Sequence, residues 1–173
     1  MLHIIADEFG CDWLCLNTLK KESVFEITRG WNQTKWIVLS SSFFVIPAAN
    51  HLYYQTPETY SVFPYMLVVT SLVSANYWRN ATRGWRRNLD LVVAKTTFST
   101  AVYIAAKYVN SRTYRIPIVV LLCVMPILYN GSTKCVNAGD PTWVKYHFAF
   151  HALCSFIGSL ILRGTFHDAS YCA

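Results

Sequence analysis

Two histidines one helical turn apart, His147 and His151, are the residues of this sequence best spaced for chemistry. They lie near the start of an apolar run over residues 143–162, and their i, i+4 spacing puts both imidazoles on one helix face. Imidazole nitrogens bind zinc, and two of them supply half of a tetrahedral site. Ionisable groups inside a membrane-spanning run indicate a functional site.

Two further polar residues are predicted at the same depth, Ser74 near the end of the second apolar run and Asp90 at the start of the third. Two imidazoles and a carboxylate, with water as the fourth ligand, would form an open catalytic zinc site whose bound water ionises near neutral pH. Asp90 could instead be a general base, with Ser74 helping to hold an oxyanion. In the alternative interpretation Asp90 pairs with a nearby arginine or lies at its helix N-terminus, and the histidines only hydrogen-bond to other helices.

The composition indicates a membrane protein. Hydrophobic residues make up 54% of the chain and charged residues 14%, whereas soluble domains contain about 25% charged residues. Apolar runs with aromatic residues at their ends are typical of membrane-spanning helices. The sequence therefore predicts an all-α integral membrane bundle of about five transmembrane helices. The five runs are 36–54, 60–78, 89–108, 116–129 and 143–162.

The basic residues predict the orientation of the bundle. Ten Lys and Arg fall on the side that carries the N-terminus, and four fall on the other side. Since cytoplasmic loops are enriched in Lys and Arg, the N-terminus is predicted to be cytoplasmic. Topology also accounts for the net charge of +6, so we expect membrane lipids rather than nucleic acid as partners.

The chain divides into three predicted parts: a cytoplasmic segment 1–35, a transmembrane domain 36–163 and a C-terminal tail 164–173. In the first part, apolar residues at roughly helical spacing predict an amphipathic helix on the membrane surface, with a small cap packed on the bundle as the alternative. These apolar residues are Ile5, Phe9, Trp13 and Leu16. Within the transmembrane domain, residues 130–142 are predicted to be a long loop because they contain two glycines and a proline.

Two smaller patterns lie outside the candidate site. Cys11 and Cys15 would share a helix face, but no further ligands accompany them as in a structural zinc site. Arg83, Arg86 and Arg87 precede the third apolar run, where arginines attract anionic lipid headgroups. The alternative is that these arginines only set the topology.

The candidate residues together resemble the CREST superfamily, which includes the alkaline ceramidases, the progestin and adipoQ receptors and the hemolysin III-type proteins. Ser74 matches the motif serine near the end of an early span, Asp90 the aspartate that begins the next span, and His147 and His151 the H-x-x-x-H pair on the last span. The resemblance implies an intramembrane zinc hydrolase of seven helices that acts on lipid amides or esters. It also implies that three histidines bind the metal and that the aspartate and serine position or activate the water.

This sequence departs from the family pattern in two respects. It has Tyr77 or Trp78 where the family has its first histidine, and it has two spans fewer. Two hypotheses follow: a metal-dependent lipid hydrolase, active or degenerate, and a non-enzymatic structural or interaction protein of the membrane. A channel or transporter is less well supported, because no selectivity filter or second buried charge is present in the sequence. The oligomeric state is left open.

Overall fold

The computed structural model describes residues 30–54, 62–81 and 84–170, and over these residues the only regular elements are helices. This confirms the all-α prediction for the described part of the chain. The predicted amphipathic segment, Cys11, Cys15 and Arg83 lie outside the described residues. The elements are α1 (Trp31–Ser41), a 3-10 turn (Ser42–Phe44), α2 (Val45–Tyr54), α3 (Val62–Arg79), α4 (Trp85–Tyr108), α5 (Arg112–Asn137) and α6 (Trp143–Ser170).

Three of the described helices, α4, α5 and α6, are long and apolar enough to cross a membrane, each with 24 residues or more. A bilayer core requires about 20 residues of helix. The described helices are therefore compatible with an integral membrane protein. Three of them are long and apolar enough to span a bilayer, whereas the sequence predicts about five spans. Helix α6 also continues to Ser170, through most of the segment 164–173 that was predicted to be a tail.

Helix α6 lies at the centre of the bundle. Its apolar stretch is 44% buried, against 17% for both α4 and α5. It packs against α1, α2, α4 and α5. Its residues Ile157, Ile161 and Leu162 are among the core side chains. Any polar group on the buried faces of α6 is therefore surrounded by several other helices.

The helical run 31–54 changes its hydrogen bonding in the middle, where the 3-10 turn separates α1 from α2. The hydroxyls of Ser40 and Ser41 both donate to the Ile37 carbonyl, at 3.0 and 2.9 Å, and such bonds favour irregular helix geometry. Pro47 has no N–H to donate to the Phe43 carbonyl one turn earlier. The Ser155 hydroxyl of α6 donates to that carbonyl instead, which ties the irregular turn to the central helix.

The predicted loop over residues 130–142 is wrong, because α5 continues to Asn137. Gly131 marks close helix packing: a Cβ added there would lie 2.9 Å from the Tyr146 ring of α6. Beyond Asn137 the helix is closed by Gly139, which has a φ of 70°. The N–H of Gly139 donates to the Val136 carbonyl and that of Asp140 to the Cys135 carbonyl, at 3.1 and 2.9 Å, a Schellman C-cap.

Candidate polar centre

A serine and a carboxylate meet where α3 ends and α4 begins. Ser74 is buried, with 3% of its surface exposed, and its hydroxyl lies close to the half-buried Asp90 carboxylate. In this pair the serine hydroxyl is the group that can donate to an ionised carboxylate, which only accepts hydrogen bonds. The Ser41 hydroxyl of α1 lies 3.3 Å from the Ser74 hydroxyl on the other side. Three helices therefore meet at Ser74.

The two histidines lie close together on α6, with ring centroids 4.8 Å apart. His151 is 4% exposed, and its Nδ1 lies 2.8 Å from the Ser40 hydroxyl. His147 is half-buried, and its Nδ1 lies 3.5 Å from the Ser132 hydroxyl of α5. Because each Nδ1 faces a serine, the Nε2 atoms are the nitrogens left for any additional partner.

Ser40 and Ser41 connect the two halves of the centre. Ser40 contacts His151, while its neighbour Ser41 contacts Ser74. The structure therefore places Ser74 beside Asp90 and His147 beside His151, and it links the two pairs through Ser40 and Ser41. We define the polar centre as this set together with Ser132: Ser40, Ser41, Ser74, Asp90, Ser132, His147 and His151. The three added serines were missed by the sequence analysis. The signal that could have found two of them is the run Ser40-Ser41-Ser42 inside an apolar span.

Trp78 occupies the side of the centre next to His147. It follows Ser74 by one helical turn, and its ring lies 4.9 Å from the His147 ring and stacks on Trp143 at 5.6 Å. Its indole N–H is the one buried side-chain polar atom without a hydrogen-bond partner among the described residues. Of the two aromatics at the position where the resemblance implies a third histidine, Trp78 is thus the one beside the histidine pair.

These residues do not fit a three-ligand metal site. An indole nitrogen carries a proton and has no lone pair to offer a metal. Within residues 30–54, 62–81 and 84–170, no three His, Cys, Asp or Glu side chains are grouped so that they could hold an ion. The pair His147 and His151 therefore supplies two imidazoles side by side, and Trp78 does not supply a third ligand.

The surroundings of Asp90 correct one alternative interpretation. Helix α4 begins at Trp85 and has no acidic residue in its first turn, so Asp90 is not a helix N-terminal carboxylate. Ion pairs in the described part of the chain do not include one between Asp90 and either Arg86 or Arg87. Ser74 is the partner that the structure does give Asp90.

Arg86 and Arg87, which are predicted to contact lipid headgroups, lie at the start of α4, less than two turns before Asp90. Arg86 is half-buried and its guanidinium lies 5.6 Å from the Trp85 ring, which is within cation–π range. Arg87 is exposed. These positions do not test the predicted contact with anionic lipid, which stays a prediction.

No protein-family model, curated protein or solved structure matches this chain. The resemblance to the CREST superfamily therefore rests on the motif residues alone.

Proposed function

We propose that this chain is a multi-pass membrane protein without hydrolase activity, whose CREST-like residues form a polar centre that holds the helices together. The observation that carries this proposal is Trp78. Its indole fills the place beside His147 where a third metal-binding histidine would stand, and it cannot bind a metal. The remaining polar groups are paired with one another, as in a structural network.

The proposal includes five membrane spans, with the run 31–54 and α3 added to the three long helices. Polar residues in these two segments face inward, since Ser40 and Ser41 are fully buried. Large apolar residues face outward, since Ile46 and Leu72 are 54% and 65% exposed. This inverted arrangement favours a lipid environment.

The number of spans can be tested with single cysteines and a membrane-impermeant thiol reagent. Five spans predict that Tyr53→Cys reacts from the same side as Asn110→Cys, and that Asn32→Cys reacts from the opposite side. Reaction of Asn32→Cys and Tyr53→Cys from one side would contradict the proposal for the first run.

The absence of a catalytic metal can be tested by measuring zinc in protein purified under conditions that retain it. We expect substoichiometric zinc in the wild type, with no decrease in His147→Ala or His151→Ala. Stoichiometric zinc in the wild type that both variants lose would overturn the proposal. Hydrolysis of lipid amides and esters is measured on the same preparations, and we expect none.

One observation favours the competing proposal, an intramembrane lipid hydrolase that binds zinc through His147 and His151. Both Nδ1 atoms face serine hydroxyls, and second-shell bonds of this kind orient metal-binding imidazoles. In that case Asp90→Asn would abolish hydrolysis while zinc content stays unchanged. The zinc measurement therefore decides between the two proposals.

A further inference from the structure

A groove with a volume of about 480 Å³ lies between the start of α1 and the start of α6. Trp36 forms one wall, and Val144 and Phe148 form the other. Trp36 is 51% exposed, and Phe148 is held in place by an edge contact with Phe43, at 5.3 Å between centroids. The groove is therefore an open, mostly apolar surface between α1 and α6, at the end of the bundle that carries the polar centre.

We propose that residues 1–29 of this chain dock in this groove through Ile5, Phe9, Trp13 and Leu16. The described chain begins at Gly30, and Asn32 and Gln33 already line the groove. The segment is thus covalently attached at the edge of the surface that it would occupy. Attachment by a short linker raises the effective concentration to the millimolar range, so a modest intrinsic affinity suffices.

The chemistry of the segment suits the groove. Its four apolar residues recur at roughly helical spacing, so on a helix they would form one stripe able to cover apolar walls. The first 16 residues contain Asp7, Glu8 and Asp12 and no Lys or Arg. Lys145 lines the groove, and opposite charges at the rim of such a surface favour the correct partner and orientation.

Lys35 adds a second positive charge at this edge. It is exposed, and its ammonium lies 5.7 Å from the Trp36 ring. An anionic lipid would also meet these lysines, and a second copy of the chain would also cover the apolar walls. The covalently attached N-terminal segment is the occupant favoured here, because it combines acidic residues for the lysines with apolar residues for the walls.

The test is cross-linking of the full chain in nanodiscs that hold one copy each. Val144→Cys places a thiol in the groove, and a short bismaleimide can join it to the native Cys11 or Cys15. Thr133→Cys is the matched control, since Thr133 is exposed on α5, whose Gly131 faces Tyr146 of α6, and it does not line the groove. Both variants carry Cys135→Ser, so that the introduced thiol is the acceptor at this end.

We expect cross-linked peptides that join Cys11 or Cys15 to position 144, in at least about tenfold higher yield than to position 133. Changing both Phe9 and Trp13 to Asp should reduce the yield at 144 to the control level. Equal yields at the two positions, or a yield at 144 that this double variant leaves unchanged, would overturn the proposal. Cross-links formed only between differently tagged copies in larger discs would also overturn it, in favour of a second copy.

Discussion

The Ser40 hydroxyl lies 2.8 Å from the Nδ1 of His151, and both residues are almost fully buried. This contact joins the first helical run to the centre of α6. The same hydroxyl lies 3.0 Å from the Ile37 carbonyl, which can only accept a hydrogen bond. The arrangement therefore favours a His151 tautomer with its proton on Nδ1, donated to Ser40.

Ser40→Ala should destabilise the bundle, because it leaves the Nδ1 of His151 buried without its partner. We expect a loss of about 1 to 2 kcal/mol in the free energy of unfolding, measured by denaturation in mixed detergent micelles. Ser42→Ala is the matched control, since Ser42 is exposed and its hydroxyl reaches only the Leu39 carbonyl one turn earlier. An equal loss in both variants would show that helix propensity, and not the histidine contact, is responsible.

Trp78→His should convert the polar centre into a zinc site. The new imidazole would start from a position whose present ring lies 4.9 Å from the His147 ring, and three imidazoles with one water make an open tetrahedral site. We expect stoichiometric zinc in this variant and little in the wild type, measured by elemental analysis of the purified protein.

Two variants control for this gain of zinc. Trp78→Phe removes the indole N–H without adding a ligand and should bind no additional metal. Tyr77→His adds a histidine one residue away, on a different part of the helix circumference, and should also bind none. Zinc binding by Tyr77→His but not by Trp78→His would show that the assignment of Trp78 to the missing histidine position is wrong.

Much of the candidate site could be predicted from the sequence because depth in a membrane follows from charge and span order. That reasoning places Ser74, Asp90 and the two histidines at one level, and the structure links the two pairs through Ser40 and Ser41. It does not reveal lateral position. The partners of Ser40 and Ser41 are determined by how the helices pack. The sequence of an apolar span does not indicate which neighbouring helix a serine will face.

The fold shows the same division between local and long-range information. Helices were predictable from apolar runs, whereas the end of α5 was not, because Gly131 and Gly139 have the same sequence signal and different physical roles. Gly131 allows close packing against Tyr146, and Gly139 supplies a positive φ. Only the tertiary contact distinguishes a packing glycine from a helix-ending one.

The bond from Ser155 to the Phe43 carbonyl predicts a coupled pair of substitutions. Ser155→Ala should destabilise the protein by about 1 kcal/mol, because Pro47 provides no backbone N–H for that carbonyl. In a Pro47→Ala background the restored N–H can serve the same carbonyl, so the cost of Ser155→Ala should be smaller. A double-mutant cycle of unfolding free energies measures this coupling, and additive costs would contradict the compensation.

We expect Asp168 to stabilise the short connection between α4 and α5. Its carboxylate accepts the backbone N–H groups of Asn110 and Ser111, directly before α5 begins. Asp168→Ala should cost about 1.5 to 3 kcal/mol, as expected for hydrogen bonds to a charged group, and should accelerate hydrogen exchange at Ser111. Asp140→Asn is the control, since the Asp140 carboxylate accepts a hydrogen bond from the Thr142 N–H at the other end of α5. Accelerated exchange at Ser111 in that control would rule out a local effect of Asp168.

The close approach of α6 to the end of α4 predicts a steric effect at Gly164. A Cβ added there would lie 2.8 Å from Cγ1 of Val109, closer than real Cβ contacts allow, so Gly164→Ala should cost about 1 to 3 kcal/mol of stability. Gly30→Ala is the control, because a Cβ at Gly30 meets nothing within 4 Å. Val109→Ala removes the clashing methyl, so Gly164→Ala should cost less in that background. If the two costs simply add, the helices are held apart by another contact, with the Tyr114 Cβ at 3.1 Å as the next candidate.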